Sequence, residues 1–387
     1  MRITEVEIEE FTYRMPDVSL GNGGFAYEPG AVGEPGGFVL TVRTADGTEG
    51  YHRGYMLVRP VLSQVEMAAE KLIGRDPLER EGIWQDLWRA HRQTGRLGVG
   101  AADVALWDLA GRHYGESVGA LLGGYRDELP AYASTTAADD APDGLSSPEA
   151  FADFAEACRD EGYPGFKIHG FGDPERDVET VHAVADAVGD EMDLMIDPSD
   201  EYDTFADALA VGEACDERGF YWYEDPTPGA GDSVSLARRL SDRLDTPLIG
   251  GEYARTGPTG VTNVLAQDVY EFIRADVFLD GGITGAMKMA RVAESFGVDV
   301  EFHVSGPATL QCLSAVRNTN YFEHGLLHPR CEWKNGQALE RDVDRPDDGR
   351  VSIPDGPGLG VDVDWAFVEE RRTGRTVIDA DGRREID

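Results

Sequence analysis

Along the first dozen positions Ile3, Val6 and Ile8 are interleaved with acids, the alternation of a β-strand. Residues 38–44 and 49–55 read as two further strands joined through Asp46-Gly47, a strong hairpin signal, so the chain should begin as a small antiparallel sheet. Between them, residues 19–37 are rich enough in glycine and proline to predict no regular structure, only a long flexible loop of the kind that forms lids. From Pro60 to Gly123 the periodicity becomes helical, punctuated at Gly74, Pro77, Gly95 to Gly100 and Gly123-Gly124. Within that stretch Val104, Leu106, Trp107 and Leu109 form an apolar stripe with an expected packing role.

Beyond Asp127 strand-like apolar runs alternate with helical ones: LPAYAST, FKIH, MDLMID, FYWYED, PLIGGE, YEFIRAD, VDVEFH and YFEH. Eight such runs predict a (β/α) barrel, because right-handed parallel crossovers leave few other topologies. The tail from Val351 returns to turn chemistry and a short helix and should lie outside the barrel. The fold class is therefore α/β, and 387 residues suit one barrel plus a smaller domain.

Composition narrows the partners. With 73 acidic against 35 basic residues the formal charge is −38, spread along the chain, which argues against nucleic acid. Four of the basic residues are lysines (Lys71, Lys167, Lys288, Lys334) and the rest arginines. Such an acid-rich, lysine-poor surface resembles those of proteins from salt-loving organisms, where screening over about 3 Å at 1 M salt quietens self-repulsion. Cys158, Cys215, Cys312 and Cys331 have no C-x-x-C spacing and are expected to be buried free thiols. The amino terminus lacks a basic start followed by an apolar core, and no run nears the roughly 18 apolar residues needed to span a bilayer, so a cytoplasmic protein without a membrane partner is expected.

Active sites of such barrels sit at the carboxyl ends of the strands, where this chain places Lys167, His169, Asp197, Glu224, Glu252, Asp276, His303 and Glu323. One strand-end acid is more often a helix cap or a solvated turn; eight titratable groups in register outweigh that reading. Asp197, Glu224 and Glu252 are 27 and 28 residues apart, about one strand, one helix and two loops, so they should arrive side by side on one rim. Three converging carboxylates suit a hard divalent cation. Lys167 and His169, two apart on a strand, share a face.

The K-x-H at Lys167 to His169, D-P-S at Asp197, E-D-P at Glu224, G-E at Gly251-Glu252 and D-x4-G-G-I-T-G from Asp276 resemble the enolase superfamily. His303 and Glu323, 27 and 47 residues beyond Asp276, match its mandelate racemase-like subgroup. ALWDLAGR, LLGGY and PGLG resemble that family's capping-domain and tail segments, so the resemblance covers nearly the whole chain. It implies an N-terminal α+β capping domain (1–126), a modified TIM (β/α) barrel (127–350) and a C-terminal segment (351–387) that packs on the capping domain and completes it. It also implies one Mg²⁺ held by Asp197, Glu224 and Glu252, which stabilises an enediolate formed when the α-proton of a carboxylate substrate leaves.

Under the same resemblance His303 is the base, oriented by Asp276, and Lys167 touches the substrate carboxylate. Glu323, protonated, would donate a hydrogen bond to that carboxylate, with a structural ion pair as its bland alternative. Relatives commonly carry K-x-K; here His169 stands at the second position, as a base on the opposite face, a general acid for a leaving hydroxyl, or a binding group. Ser199 replaces an asparagine found in many relatives. Tyr27 in the glycine-rich loop, with His52 and Arg53, would grip hydroxyls or a distal carboxylate, with ordinary surface placement equally open. The favoured function is dehydration of an aldonate or aldarate to a 2-keto-3-deoxy acid. Racemisation or epimerisation of a 2-hydroxy acid is the alternative, and a metal- or metabolite-binding barrel without turnover the non-enzymatic one. A cycloisomerase of the muconate type is disfavoured, because no second lysine follows Asp276 in the turn Val277 to Asp280 and Lys288 lies too far into the next helix. Relatives are frequently oligomeric, which implies a homo-oligomer.

Overall fold

The computed structural model of the chain describes residues 1–21, 24–227, 233–252, 257–331 and 337–386. Its first part holds strands β1 (Ile3–Thr12), β2 (Met15–Gly21), β3 (Gly24–Gly33), β4 (Gly36–Thr44) and β5 (Glu49–Gly54), then helices α1 (Val58–Leu72), α2 (Arg80–Ala90), α3 (Leu97–Tyr114) and α4 (Val118–Leu122). β1, β4 and β5 form the expected antiparallel sheet, and the β4–β5 turn places Gly47 at φ +87°. Val6, Ile8, Leu40 and Val42 from the sheet meet Val61, Val65, Ala105 and Leu109 from α1 and α3 in one apolar cluster. Gly50 on β5 is what lets α3 approach: a Cβ there would sit 2.4 Å from the Ala105 carbonyl oxygen and from the Leu109 nitrogen. α3 is buried almost all round from Gly98 to Gly111, because the barrel covers the side that the sheet does not; Trp107, half-buried, donates to Thr284 Oγ1 at 2.9 Å.

The glycine-rich stretch departs from expectation. Instead of a structureless loop, β2 and β3 pair as an antiparallel hairpin with Val18 opposite Tyr27 and Leu20 opposite Phe25. Val18, Leu20, Phe25 and Tyr27 supply the strand-forming side chains, and the glycines that suggested a loop serve at irregularities. Gly30, at φ +82°, donates its N–H to Asp17 Oδ1 at 2.7 Å beside the register shift between Pro16 and Val18. Asn22 and Gly23 at the tip lie outside the described residues.

The barrel follows as β6 (Glu128–Thr135), α5 (Pro148–Asp160), β7 (Gly165–Ile168), α6 (Pro174–Val188), β8 (Asp193–Ile196), α7 (Phe205–Arg218), β9 (Trp222–Glu224), α8 (Val234–Ser241), β10 (Leu248–Gly250), α9 (Gly257–Leu265), β11 (Phe272–Ala275), α10 (Gly282–Phe296), β12 (Asp299–Phe302), α11 (Pro307–Leu313) and β13 (Phe322–Leu327). All eight apolar runs became parallel strands, in the order β12-β11-β10-β9-β8-β7-β6-β13. The barrel is nearly closed, with one seam between β12 and β13. Tyr132, Met195, Trp222, Ile249, Phe272 and Tyr321 fill part of its interior, so the centre is packed and chemistry is confined to the rim.

After the barrel, β14 (Arg350–Ser352) pairs antiparallel with the start of β6, and α12 (Trp365–Arg371) leads into β15 (Arg372–Asp379) and β16 (Gly382–Glu385). β15 pairs with β1, so the first sheet runs β16-β15-β1-β4-β5. Glu7, on the acidic side of β1, is buried between these neighbours and ion-paired to Arg43 and Arg375. The four cysteines are free; Cys331 is only partly buried. Among the described residues no helix is long and apolar enough to cross a membrane.

Candidate active site

Short parallel strands side by side bring their last residues to one rim. Asp197 follows β8, Glu224 ends β9 and Glu252 lies two residues past β10, and one carboxylate oxygen from each falls within 4.8 Å of the others, all three side chains buried. β7 flanks this trio on one side with Lys167 and His169; β11 and β12 flank it on the other with Asp276 and His303.

Lys167, 1% exposed, sends Nζ to Asp197 Oδ2 at 3.1 Å, Glu224 Oε2 at 2.9 Å and Glu323 Oε1 at 2.9 Å. Burial works against its charge, but Glu224 and Glu323 outweigh burial and hold the ammonium well above the usual lysine range. Arg274 is the second buried cation. It clasps Glu224 with Nε and with Nη2 at 2.7 Å, donates to Tyr132 Oη at 2.9 Å, and stands 4.0 Å from Glu323 Oε2. Sequence reading missed it, although a basic residue inside the strand run YEFIRAD, two residues before Asp276 and so on its face, was the available signal.

Glu323 accepts from Ser134 Oγ at 2.9 Å and from the Val304 N–H at 3.3 Å. Burial would raise its carboxyl, yet Lys167, Arg274 and His303 hold it well below the usual carboxylate range. In this arrangement Glu323 accepts from its neighbours and lies beside Lys167 and Arg274, the ion-pair alternative to a donating, protonated Glu323. Val304 adopts φ +59°, a left-handed conformation rare for a β-branched residue, and this turn directly after His303 aims its N–H at Glu323.

His303 donates Nδ1–H to Asp276 Oδ2 at 2.7 Å, and its Nε2 lies 3.4 Å from Glu252 Oε1. Asp276 is itself fixed by the backbone N–H groups of Phe278 and Leu279. Burial lowers the His303 pKa, but Glu252 and Asp276 overcome it and lift the imidazole to about 10. His169 Nε2 sits 3.1 Å from Asp197 Oδ2 and its Nδ1 has no partner among the described residues. The Ser199 N–H donates to Asp197 Oδ1 at 2.8 Å.

The donor set fits a magnesium-like cation. It is all oxygen, and its charge is unevenly offset: Lys167 and Arg274 offset part of the charge of Glu224, Glu323 and Asp197, while burial, Asp197 and Glu224 together push the Glu252 carboxyl up against the opposing pull of His303. Asp225, also buried, has neither carboxylate oxygen hydrogen-bonded among the described residues, and burial with Glu252 and Glu224 raises it further. A cation relieves this crowding of carboxylates.

The capping candidates divide. Tyr27 on β3 reaches the barrel loops after β6 and β13, its hydroxyl 3.4 Å from Asp143 and its ring 4.6 Å from that of His328. His52 and Arg53 on β5 line a cavity of about 70 Å³ that Val277 and Val304, the residues next to Asp276 and His303, also line. Burial, with Arg53 beside it, drives His52 down to about 3, so its ring is neutral.

A parallel barrel with a buried oxygen-donor cage, bracketed by proton-transfer groups and capped by an α+β domain, defines a class of metal-assisted enzymes acting next to a carboxylate. Residues 150–367 match the enolase C-terminal domain-like family, and residues 29–123 the mandelate racemase / muconate lactonizing enzyme N-terminal domain. The chain belongs to this mandelate racemase / muconate lactonizing enzyme branch of the enolase superfamily. It is 32% identical over 350 residues to the D-galactarolactone cycloisomerase of Agrobacterium fabrum, across 86% of this chain and 90% of the relative. It is 29% identical to the D-gluconate dehydratase of Thermoproteus tenax, across 86% and 69%. The crystal structure of a D-glucarate dehydratase from Agrobacterium tumefaciens complexed with magnesium superposes with a TM-score of 0.87 at 34% identity, covering 96% of this chain and 99% of that one.

Proposed function

We propose that this chain is a Mg²⁺-dependent sugar-acid dehydratase, which removes the α-proton of an aldonate or aldarate and expels the β-hydroxyl to give a 2-keto-3-deoxy acid. The observation that carries the reading is the bracket: two histidines on opposite flanks of one carboxylate trio, His169 bonded to Asp197 and His303 facing Glu252. Held by Asp197, Glu224 and Glu252, Mg²⁺ supplies positive charge for the substrate carboxylate and for the negative charge that develops as the α-proton leaves.

Asp276 fixes the His303 ring so that Nε2 is the nitrogen presented to the substrate, the arrangement a proton carrier needs. Lys167, engaged by three carboxylates, serves as a fixed cation beside the substrate carboxylate and not as a base. Glu323, ionised between Lys167 and Arg274, positions Lys167. Dehydration then takes the α-proton to one histidine and a proton from the other to the departing hydroxyl, so that water leaves and the resulting enol becomes a ketone.

The same bracket would serve epimerisation, with the proton returned from the far side. Dehydration is preferred because relatives are named for it, D-gluconate and D-glucarate dehydratases among them. The reading places the enzyme in the cytoplasm as a homo-oligomer without nucleic-acid partners, the last supported by the net charge of −38. Incubation with Mg²⁺, high salt and a panel of C4 to C6 sugar acids should yield a 2-keto-3-deoxy product from at least one of them; silence across the panel contradicts dehydration.

A further inference from the structure

The turn between β11 and α10 belongs to the barrel by connection and to the capping domain by packing. Phe278 and Leu279, in its middle, bury their side chains in the cap's apolar cluster with Trp84, Leu87, Val99 and Ala102. Gly100 on α3 lies against the turn's main chain: a Cβ there would stand 2.7 Å from the Phe278 carbonyl oxygen, 3.0 Å from that of Val277 and 3.2 Å from the Gly282 nitrogen. Trp84 on α2, also buried, donates Nε1–H to the Gly281 carbonyl at 2.7 Å. Asp103, one turn of α3 beyond Gly100, accepts the Thr284 N–H at 2.8 Å where α10 begins. α2 and α3 therefore grip this turn by its side chains, by its main chain and at its exit.

The same turn holds one half of the proton-transfer pair. The N–H groups of Phe278 and Leu279 both donate to Asp276 Oδ1, the second at 2.9 Å. Asp280 Oδ2 accepts the Asp276 N–H at 2.9 Å, and the Asp280 N–H returns to the Asp276 carbonyl at 3.0 Å. Asp276 Oδ2 in turn takes the His303 Nδ1–H at 2.7 Å. Phe278 and Leu279 thus put their side chains into the cap and their N–H groups on Asp276, so a displacement of the cap helices reaches the His303 ring through successive hydrogen bonds. Close-packed interiors transmit such displacements because they hold little free volume to absorb them.

We propose that Gly100 and Trp84 of the capping domain are positioning residues for His303: they set the turn over residues 277–282, the turn sets Asp276, and Asp276 aims the His303 ring. The inference rests on the reading that His303 carries a proton during turnover. A misplacement of about 1 Å in a proton carrier can cost about 10²-fold in rate, so a small shift of the turn is enough to matter.

Gly100→Ala adds a methyl group against the turn while improving local helix propensity, and Trp84→Phe removes the bond to Gly281. Leu72→Ala, in the same apolar cluster but on α1, is the control for loss of cap stability. In two-bond proton–nitrogen NMR spectra of the histidine rings, with His303 assigned by its loss in His303→Asn, Gly100→Ala should move the His303 Nδ1 resonance. Trp84→Phe should move it less, and Leu72→Ala should leave it in place. With any sugar acid that the wild type turns over, kcat of Gly100→Ala should fall about 10- to 100-fold at a KM within about 3-fold of wild type. Leu72→Ala should lower the denaturation midpoint and keep kcat within about 2-fold. Unmoved His303 resonances in both Gly100→Ala and Trp84→Phe overturn the proposal, and so does an equal fall of kcat in Leu72→Ala, which would mark a general loosening of the cap. If Gly100→Ala does not fold, Trp84→Phe alone decides. A displaced His303 signal in a protein that turns over no sugar acid keeps the positioning and ends dehydration; an undisturbed signal in an active enzyme keeps dehydration and ends the positioning.

Discussion

The barrel rim and the capping domain both present charge to the same space, but they pay for it differently. On the rim, Lys167 and Arg274 are buried among Asp197, Glu224 and Glu323, and each cation has two or more carboxylates within 4.0 Å. In the cap, Arg53 has no such partner among the described residues and Tyr27 meets barrel loops at 3.4 Å or more. A saturated network at strand ends holds its geometry whether or not substrate is present, which suits chemistry that must be aligned. Arg53 and Tyr27 on the cap belong to no comparable buried network among the described residues.

The largest expected effect is on the rim. Lys167→Met leaves Asp197, Glu224 and Glu323 crowded without their shared cation, and should cost about 3–5 kcal/mol of stability and abolish turnover. Denaturant titration measures it; a loss below about 1 kcal/mol would mean that the rim network is not pre-formed.

An intermediate effect belongs to the seam between the two regions. Asp103 on α3 accepts Thr284 Oγ1 at 2.6 Å and the Thr284 N–H at 2.8 Å from α10, and burial pushes its carboxyl up to about 7 despite those bonds. Because the folded pKa exceeds the unfolded one, the native state binds a proton that the unfolded chain does not between pH of about 4 and about 7. This contribution is fully present below that window and is lost as pH rises through it. Denaturation at several pH values across the window should give a slope that Asp103→Asn flattens; an unaltered slope would place the coupling elsewhere.

The smallest effect is expected at Tyr27. Tyr27→Phe removes a long, exposed hydrogen bond and should change stability by less than about 0.5 kcal/mol and KM by less than about 2-fold. A larger rise in KM would show that the hairpin closes on substrate and would blur the contrast between rim and cap.

What could be read in advance follows the same division. The eight strands and their terminal residues were legible because buried parallel strands are apolar runs and barrel topology fixes which end bears function. Arg274 sat within one of those runs and was overlooked because only final residues were considered. The β2–β3 hairpin was hidden by glycines and prolines that serve at its bulge, while Val18, Leu20, Phe25 and Tyr27 carried the alternation. The weight of the ion-pair reading of Glu323 over the donor reading was hidden for another reason. It depends on Lys167 and Arg274, more than 150 and nearly 50 residues earlier in the chain, meeting it across the barrel.

Proton transfer from the flanks of the carboxylate trio is read out by exchange of the substrate α-proton in D₂O. With Mg²⁺ and a sugar acid that the enzyme binds, NMR should record α-deuteration or deuterium at C3 of the keto product in the wild type. His169→Gln and His303→Asn should each lower turnover by about 10²- to 10⁴-fold. Full turnover in both variants, or no isotope incorporation with any bound acid, would contradict it.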